Sequence, residues 1–134
     1  MKANELMIGD WVKHSIVGKI GKVYRICGNE YIAFIDGDTQ SELVEPIQLT
    51  PEILEKNGFE NIDNKYPFPT FRCDDKENYL CITIGFPEGD KTKRKRTFIE
   101  IDGIHIYIGH LIINFVHELQ HTLKLCGIDK EIVV

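Results

Sequence analysis

Between Ile8 and Pro46 the chain never sustains a helical repeat, and glycine interrupts it at positions 9, 18, 21, 28 and 37. Segments this short cannot complete the roughly three turns of an ordinary helix, but they suit strands of about five residues. The pattern predicts a small β-barrel with strands near Asp10–His14, Lys22–Cys27, Glu30–Asp36 and Ser41–Glu45. Gly28-Asn29 between two of them is the chemistry of a tight hairpin, since both residues tolerate positive φ. Blurred alternation in Tyr31-Ile32-Ala33-Phe34-Ile35 fits a small barrel that buries parts of both faces.

Beyond Pro46 the punctuation changes. Thr50 can cap a short helix that Pro51 starts and Gly58 stops, and Phe59 can fold back onto Leu54. Residues 60–70 read as a loop. Strands follow near Thr70–Cys73 and Tyr79–Phe86, joined by a polar turn in which Asp74 and Asp75 are solvated turn formers. Two more strands, Thr97–Ile101 and Ile104–Ile108, meet at the hairpin dipeptide Asp102-Gly103. An amphipathic helix over 114–126, capped by Asn114 and ended by Gly127, comes last, and the tail Glu131–Val134 has the character of an edge strand. The predicted fold is α+β: an SH3-like barrel over 1–49, a helix and loop over 50–69, and an antiparallel sheet packed by one helix over 70–134.

Composition limits the partners. The 134 residues can bury a self-sufficient core, and 43% hydrophobic with 28% charged residues is ordinary for a globular protein. No apolar run approaches the roughly 20 residues that cross a bilayer, and Met1-Lys2-Ala3-Asn4-Glu5 has no apolar signal core, so a cytoplasmic protein without a membrane partner is expected. Cys27, Cys73, Cys81 and Cys126 are scattered in strand-like or apolar contexts and read as buried, reduced thiols. A net charge of −5 disfavours a general nucleic-acid coat, and any basic surface must be local.

The segment Asn114-Phe115-Val116-His117-Glu118-Leu119-Gln120-His121 spells H-E-x-x-H. In a zinc hydrolase, His117 and His121 would offer two nitrogens to the metal, and Glu118 would be the general base for the bound water. Two features argue against it. At about 100° per residue, Ile112, Phe115, Val116, Leu119, Leu123 and Cys126 form the core stripe, leaving His117 and His121 on the solvated side with Asn114 and Lys124. For a third ligand only Asp129 and Glu131 follow downstream, and the extended motif is absent, because Lys124 and Gly127 stand where it carries glycine and histidine. The expectation is therefore no metal, no cofactor and no catalytic residue.

Lys91-Thr92-Lys93-Arg94-Lys95-Arg96 places five positive charges in six residues, and Lys91, Lys93, Arg94, Lys95 and Arg96 are the candidate phosphate contacts. The run has no aromatic residue for base stacking, so the contact would be blind to sequence. Ser15 and Ser41 lie in no nucleophile elbow, and Gly18-Lys19-Ile20-Gly21-Lys22 precedes a strand rather than the helix a phosphate loop needs. Trp11, beside barrel residue Val12, is expected to point to the opposite side, as a ligand platform or, the favoured reading, as packing over a subdomain interface.

Gly9-Asp10-Trp11-Val12, Gly18-Lys19-Ile20-Gly21-Lys22-Val23 and Asp36-Gly37 resemble the KOW-type pattern of SH3-like barrels in ribosomal and transcription proteins. Over most of the chain, the opening Met1–Val12, the stretch Pro46–Phe59 and Val116-His117-Glu118-Leu119-Gln120 resemble a family of small uncharacterised proteins of Bacteroidetes genomes and their phages or mobile elements. Gln and Asn often stand in that family where this chain has Glu118 and His121, which implies an incidental motif here. The resemblance implies a bacterial accessory protein and brings no activity. The expected role is a non-enzymatic binding module for protein or nucleic acid, with zinc-dependent hydrolysis as the alternative and homo-oligomeric assembly as a third reading.

Overall fold

A computed structural model describes residues 1–62, 69–76, 80–86, 96–101, 104–107 and 113–134, giving backbone alone for 80, 96–101 and 104–107. The protein is α+β, with three small antiparallel sheets among the described residues. Two compact units form: Met1–Gln48 with Phe115–Gln120, and Leu49–Asn114 with His121–Val134.

The first unit carries β1 (Trp11–His14), β2 (Ile20–Lys22), β3 (Arg25–Cys27), β4 (Tyr31–Ile35), β5 (Gly37–Gln40) and β6 (Val44–Pro46), with 3-10 turns at Ala3–Glu5 and Ser41–Leu43. They make two three-stranded sheets, ordered β2-β1-β6 and β3-β4-β5, rather than one closed ladder. The stretch predicted as one strand over Lys22–Cys27 changes partner halfway. Val23 N–H donates to Asp10 O (2.8 Å), whereas Tyr24 N–H donates to Ala33 O (2.9 Å). Polar Gly37–Gln40 forms a strand that hydrophobic patterning misses, and Ser41–Leu43 is a turn where a strand was expected.

Val12 pairs with Gly21, and both face inward. A Cβ on Gly21 would overlap the carbonyl oxygen of Phe34, so only glycine lets β2 and β4 approach this closely. The core beneath holds Ala3, Leu6, Val12, Val23, Ile32, Phe34 and Val44. Full burial of each large aliphatic or aromatic side chain contributes about 1.5–3 kcal/mol. On the outer face, Arg25 and Asp38 both pair with Ala33 and join at 2.7 Å, and Ala33 beneath them is fully buried.

In the second unit, helix α1 (Pro51–Lys56) has the predicted ends. Thr50 Oγ1 accepts Ile53 N–H (3.4 Å), and Gly58 takes φ +77°. Phe59 N–H donates to Leu54 O and Gly58 N–H to Glu55 O, both at 3.0 Å, the paired bonds of a glycine-terminated helix, with Leu54 and Phe59 both buried. The sheet follows the order β11-β10-β9-β8-β7, with β7 (Glu60–Asn61), β8 (Thr70–Asp75), β9 (Leu80–Gly85), β10 (Arg96–Ile101) and β11 (Ile104–Tyr107). Ile101 pairs with Ile104, as a hairpin at Asp102-Gly103 requires, although those turn residues lie outside the described ones. Phe71 and Cys73 share a buried face with Ile84 and Ile82, and Phe86 meets Phe71 edge-on at 5.6 Å. The tail is not a strand. Instead, the Asn57 amide takes the place of a ladder partner: Oδ1 accepts Val133 N–H (2.8 Å) and Nδ2 donates to Val133 O (2.7 Å).

Gly21→Ala is expected to destabilise the protein by about 3 kcal/mol, the upper end for overpacking, because the obstacle is backbone. Gly28→Ala, which meets nothing within 4 Å but takes φ +60°, should cost only about 1 kcal/mol. Urea midpoints of the two variants check the ranking.

Candidate functional site

Helix α2 (Val116–Leu125) carries the H-E-x-x-H letters, and its first turn explains the glutamate. Phe115, not Asn114, is the cap. Glu118 stands at the third helical position, where Oε2 accepts Phe115 N–H at 3.0 Å, the carboxylate half of a capping box. Asn114 serves differently, its carbonyl accepting Leu49 N–H at 2.8 Å. Acting as a base on metal-bound water would require Glu118 to leave the helix end it caps.

His117 is not on a solvated face. It is 5% exposed with Nδ1 away from water, and its ring stacks on Phe115 at 5.9 Å between centroids. The wheel identified Val116, Leu119 and Leu123 correctly as buried, but it assumes a helix covered on one side only. Here the chain beyond β6 runs beside the first turn: Val116 N–H donates to Ile47 O (2.9 Å), and Gln48 bridges to Phe115. His121, in the second unit, is half-buried. Among the described residues no group of three or more His, Cys, Asp or Glu side chains is placed to hold a metal ion.

Within the motif, the residue with most to do sits at a variable position. Gln120 Oε1 accepts Trp11 N–H and Nε2 donates to Gly9 O, both at 3.0 Å, pinning the entry to β1 against α2. Gly9, at φ +96°, turns the chain there, and Asp10 Oδ2 accepts Met7 N–H at 2.7 Å. Gln120 carried no signal in the sequence, because a lone amide on a helix matches no motif. Trp11 is half-buried, with Lys22 Nζ 5.2 Å from its ring centroid.

Of the predicted phosphate contacts, Lys91, Lys93, Arg94 and Lys95 lie outside the described residues, and Arg96 is described by its backbone in β10. A shallow hollow of about 230 Å³ in the first unit is lined by Glu30, Tyr31, Gln40, Ser41 and Glu42. Asp74 and Asp75, expected in a turn, instead extend β8 and pair with Cys81 and Leu80, and Asp74 is bonded to Arg72 (2.8 Å). Burial pushes its carboxyl up, but bonds from Arg72 and Cys81 prevail and hold it below the usual range.

All four cysteines are free thiols, but Cys27 is exposed and Cys126 half-buried, against the expectation of four buried ones. In β3 it is Ile26 that faces inward, which turns Cys27 out. Cys73 and Cys81 are buried on opposite faces of the sheet, because each pairs with the other's neighbour. Burial pushes the Cys81 thiol up to about 11, too high for a nucleophile near neutral pH.

Neither a protein-family model, nor a curated protein, nor a solved structure matches this chain.

Glu118→Gln keeps an acceptor for Phe115 and should leave stability within about 0.5 kcal/mol of the wild type, whereas Glu118→Ala should cost about 1 kcal/mol. Gln120→Ala strands two backbone groups and should cost about 1–3 kcal/mol, all read by urea titration. Iodoacetamide near neutral pH should label Cys27 first, and Cys73 and Cys81 only in denaturant. Because folding raises the Cys81 pKa from 9.0 to about 11, its contribution to stability is full below pH 9 and is lost as pH rises toward 11, lowering the thermal midpoint over that window.

Proposed function

We propose that the protein is a non-enzymatic binding module whose first unit is an SH3-like barrel, acting on a protein or nucleic-acid partner. The observation that carries this reading is where apolar surface is left uncovered. The first unit leaves Met7, Ile8, Ile16, Val17, Ile20, Tyr24 and Tyr31 exposed. Exposed apolar side chains on a unit of this size favour a contact role.

The barrel reading is supported by the partner change at Val23–Tyr24, which lets one extended stretch serve both sheets, and by the 3-10 turn Ser41–Leu43 before the last strand. A non-enzymatic role is supported by the engagement of Glu118 as a helix cap. The likeness to small Bacteroidetes and mobile-element proteins supports an accessory role in the bacterial cytoplasm. For a nucleic-acid partner, Lys91, Lys93, Arg94, Lys95 and Arg96 supply the cations.

Fluorescence anisotropy with labelled duplex DNA, single-stranded DNA and RNA at two salt concentrations tests the partner class. Binding that falls steeply with salt and disappears when Lys93, Arg94, Lys95 and Arg96 are serines identifies nucleic acid. No binding at low salt removes nucleic acid and leaves protein. About one zinc per chain in untagged protein, lost in His117→Ala, overturns the non-enzymatic reading.

A further inference from the structure

From Trp11 to Asn29 the chain carries Lys13, Lys19, Lys22 and Arg25 and no Asp or Glu, within a protein of net charge −5. Much of this segment is the β1–β2 hairpin, and its turn is tied down from several sides. Gly18 N–H donates to His14 O (2.9 Å), His14 N–H to Lys19 O (2.8 Å) and Ser15 N–H to Leu43 O (2.9 Å). The Nδ1 of His14 accepts the N–H of Ile16 (3.2 Å) and of Val17 (3.4 Å). With those amides turned onto His14, the side chains stand outward, Ile16 75% and Val17 60% exposed.

Lys13 and Ile20 pair across the hairpin, as do Trp11 and Lys22, so all four lie on its outer face. Lys19 is exposed at the end of the turn, and Tyr24 is exposed beyond β2. Glu45, opposite Lys13 on β6, is the carboxylate in register, on the side away from Ile20.

We propose that this hairpin docks on an anionic lipid surface, with Ile16 and Val17 entering the boundary between headgroups and acyl chains and Lys13 and Lys19 meeting the headgroup charges. Two aliphatics on a stiff apex, lysines that keep their charge in water while their stems cross apolar ground, and aromatic residues at headgroup level are the chemistry of peripheral insertion. Nucleic acid fits less well. Ile16, Val17 and Ile20 have no π-face for a base, Lys22 already lies over the Trp11 ring, and Arg25 is joined to Asp38 at 2.7 Å. A protein partner would need a stable interface of about 1,200–2,000 Å², which a few apex side chains begin but do not supply. Surface docking needs no spanning segment, so scanning for apolar runs of about 20 residues does not register it.

Co-sedimentation with phosphatidylcholine vesicles, with and without phosphatidylserine, tests the proposal on the full chain. Binding is expected only with phosphatidylserine, reduced about tenfold or more in Ile16→Ser/Val17→Ser and abolished in Lys13→Glu/Lys19→Glu. Ile16, Val17 and Lys19 are exposed and Lys13 half-exposed, so thermal midpoints should match the wild type, and the single Lys19→Glu gives a second reading if a double variant does not. No binding to anionic vesicles at low salt overturns the proposal, and so does binding that ignores the Ile16/Val17 change. In the absence of vesicle binding, two further results would each name the occupant that replaces lipid. Single-stranded DNA binding lost in Lys13→Glu/Lys19→Glu names nucleic acid, and a light-scattering dimer lost in Ile16→Ser/Val17→Ser names a second copy.

Discussion

The closeness of Gly21 to the carbonyl oxygen of Phe34 determines how the first unit is built. Two backbones meet there with no side chain between them, so β2 passes β4 at a separation only glycine permits. Having reached β4, the chain exchanges hydrogen-bond partners within two residues, at Val23 and Tyr24. Val12, Val23, Ile32 and Phe34 then close over one another as a core. The same geometry leaves the other end of the hairpin outside that core. Ser15 is tied back to Leu43, and what lies beyond it has only itself and His14 for support. Ile16 and Val17 stand exposed at the end of the hairpin away from the crossing.

Helix α2 shows how one string of letters can answer to several unrelated forces. Glu118 serves the orphan N–H of Phe115, which the first turn of any helix leaves without an intrahelical partner. His117 serves as a flat, buried surface against the Phe115 ring. Gln120 serves two backbone groups of a neighbouring turn. None of these roles refers to a metal, yet together with His121 they reproduce the spacing of a zinc motif. Glutamate is favoured in a helix's first turn for electrostatic reasons, so a capping glutamate beside a buried histidine is enough to produce the resemblance.

Features decided by near neighbours were legible in the sequence. Thr50, Pro51, Gly58 and Phe59 announced α1 with both its ends, and Gly127 announced the end of α2, where Ile128 N–H returns to Leu123 O at 2.9 Å. Each depends on residues within one or two turns. What was not legible depended on distant partners. Gly37–Gln40 is a strand because β4 offers it a ladder, not because its own side chains favour one. Val133 is held by Asn57, 76 residues away, through an amide no pattern would single out. His117 is buried with its ring stacked on Phe115, and a helical wheel, which assumes one covered face, has no access to that. For the candidate site, the histidine and glutamate positions could be read, whereas the residues that pin the helix could not.

Net charge misdirects for a related reason. A total of −5 describes the chain as a whole, but at physiological ionic strength a charge is screened beyond about 8 Å. Lys13 and Lys19 on the hairpin therefore respond to what stands beside them, and the carboxylates crowded elsewhere in the sequence do not cancel them. The stretch Trp11–Asn29 keeps its cations clear of acidic neighbours in sequence, and β1–β2 pairing gathers Lys13 and Lys22 with Trp11 and Ile20 on one face. Glu45 is in register with Lys13 on β6, on the other side of β1 from Ile20, whereas Lys19 stands exposed at the end of the turn. A surface built this way can attract anions locally although the net charge of the molecule is negative.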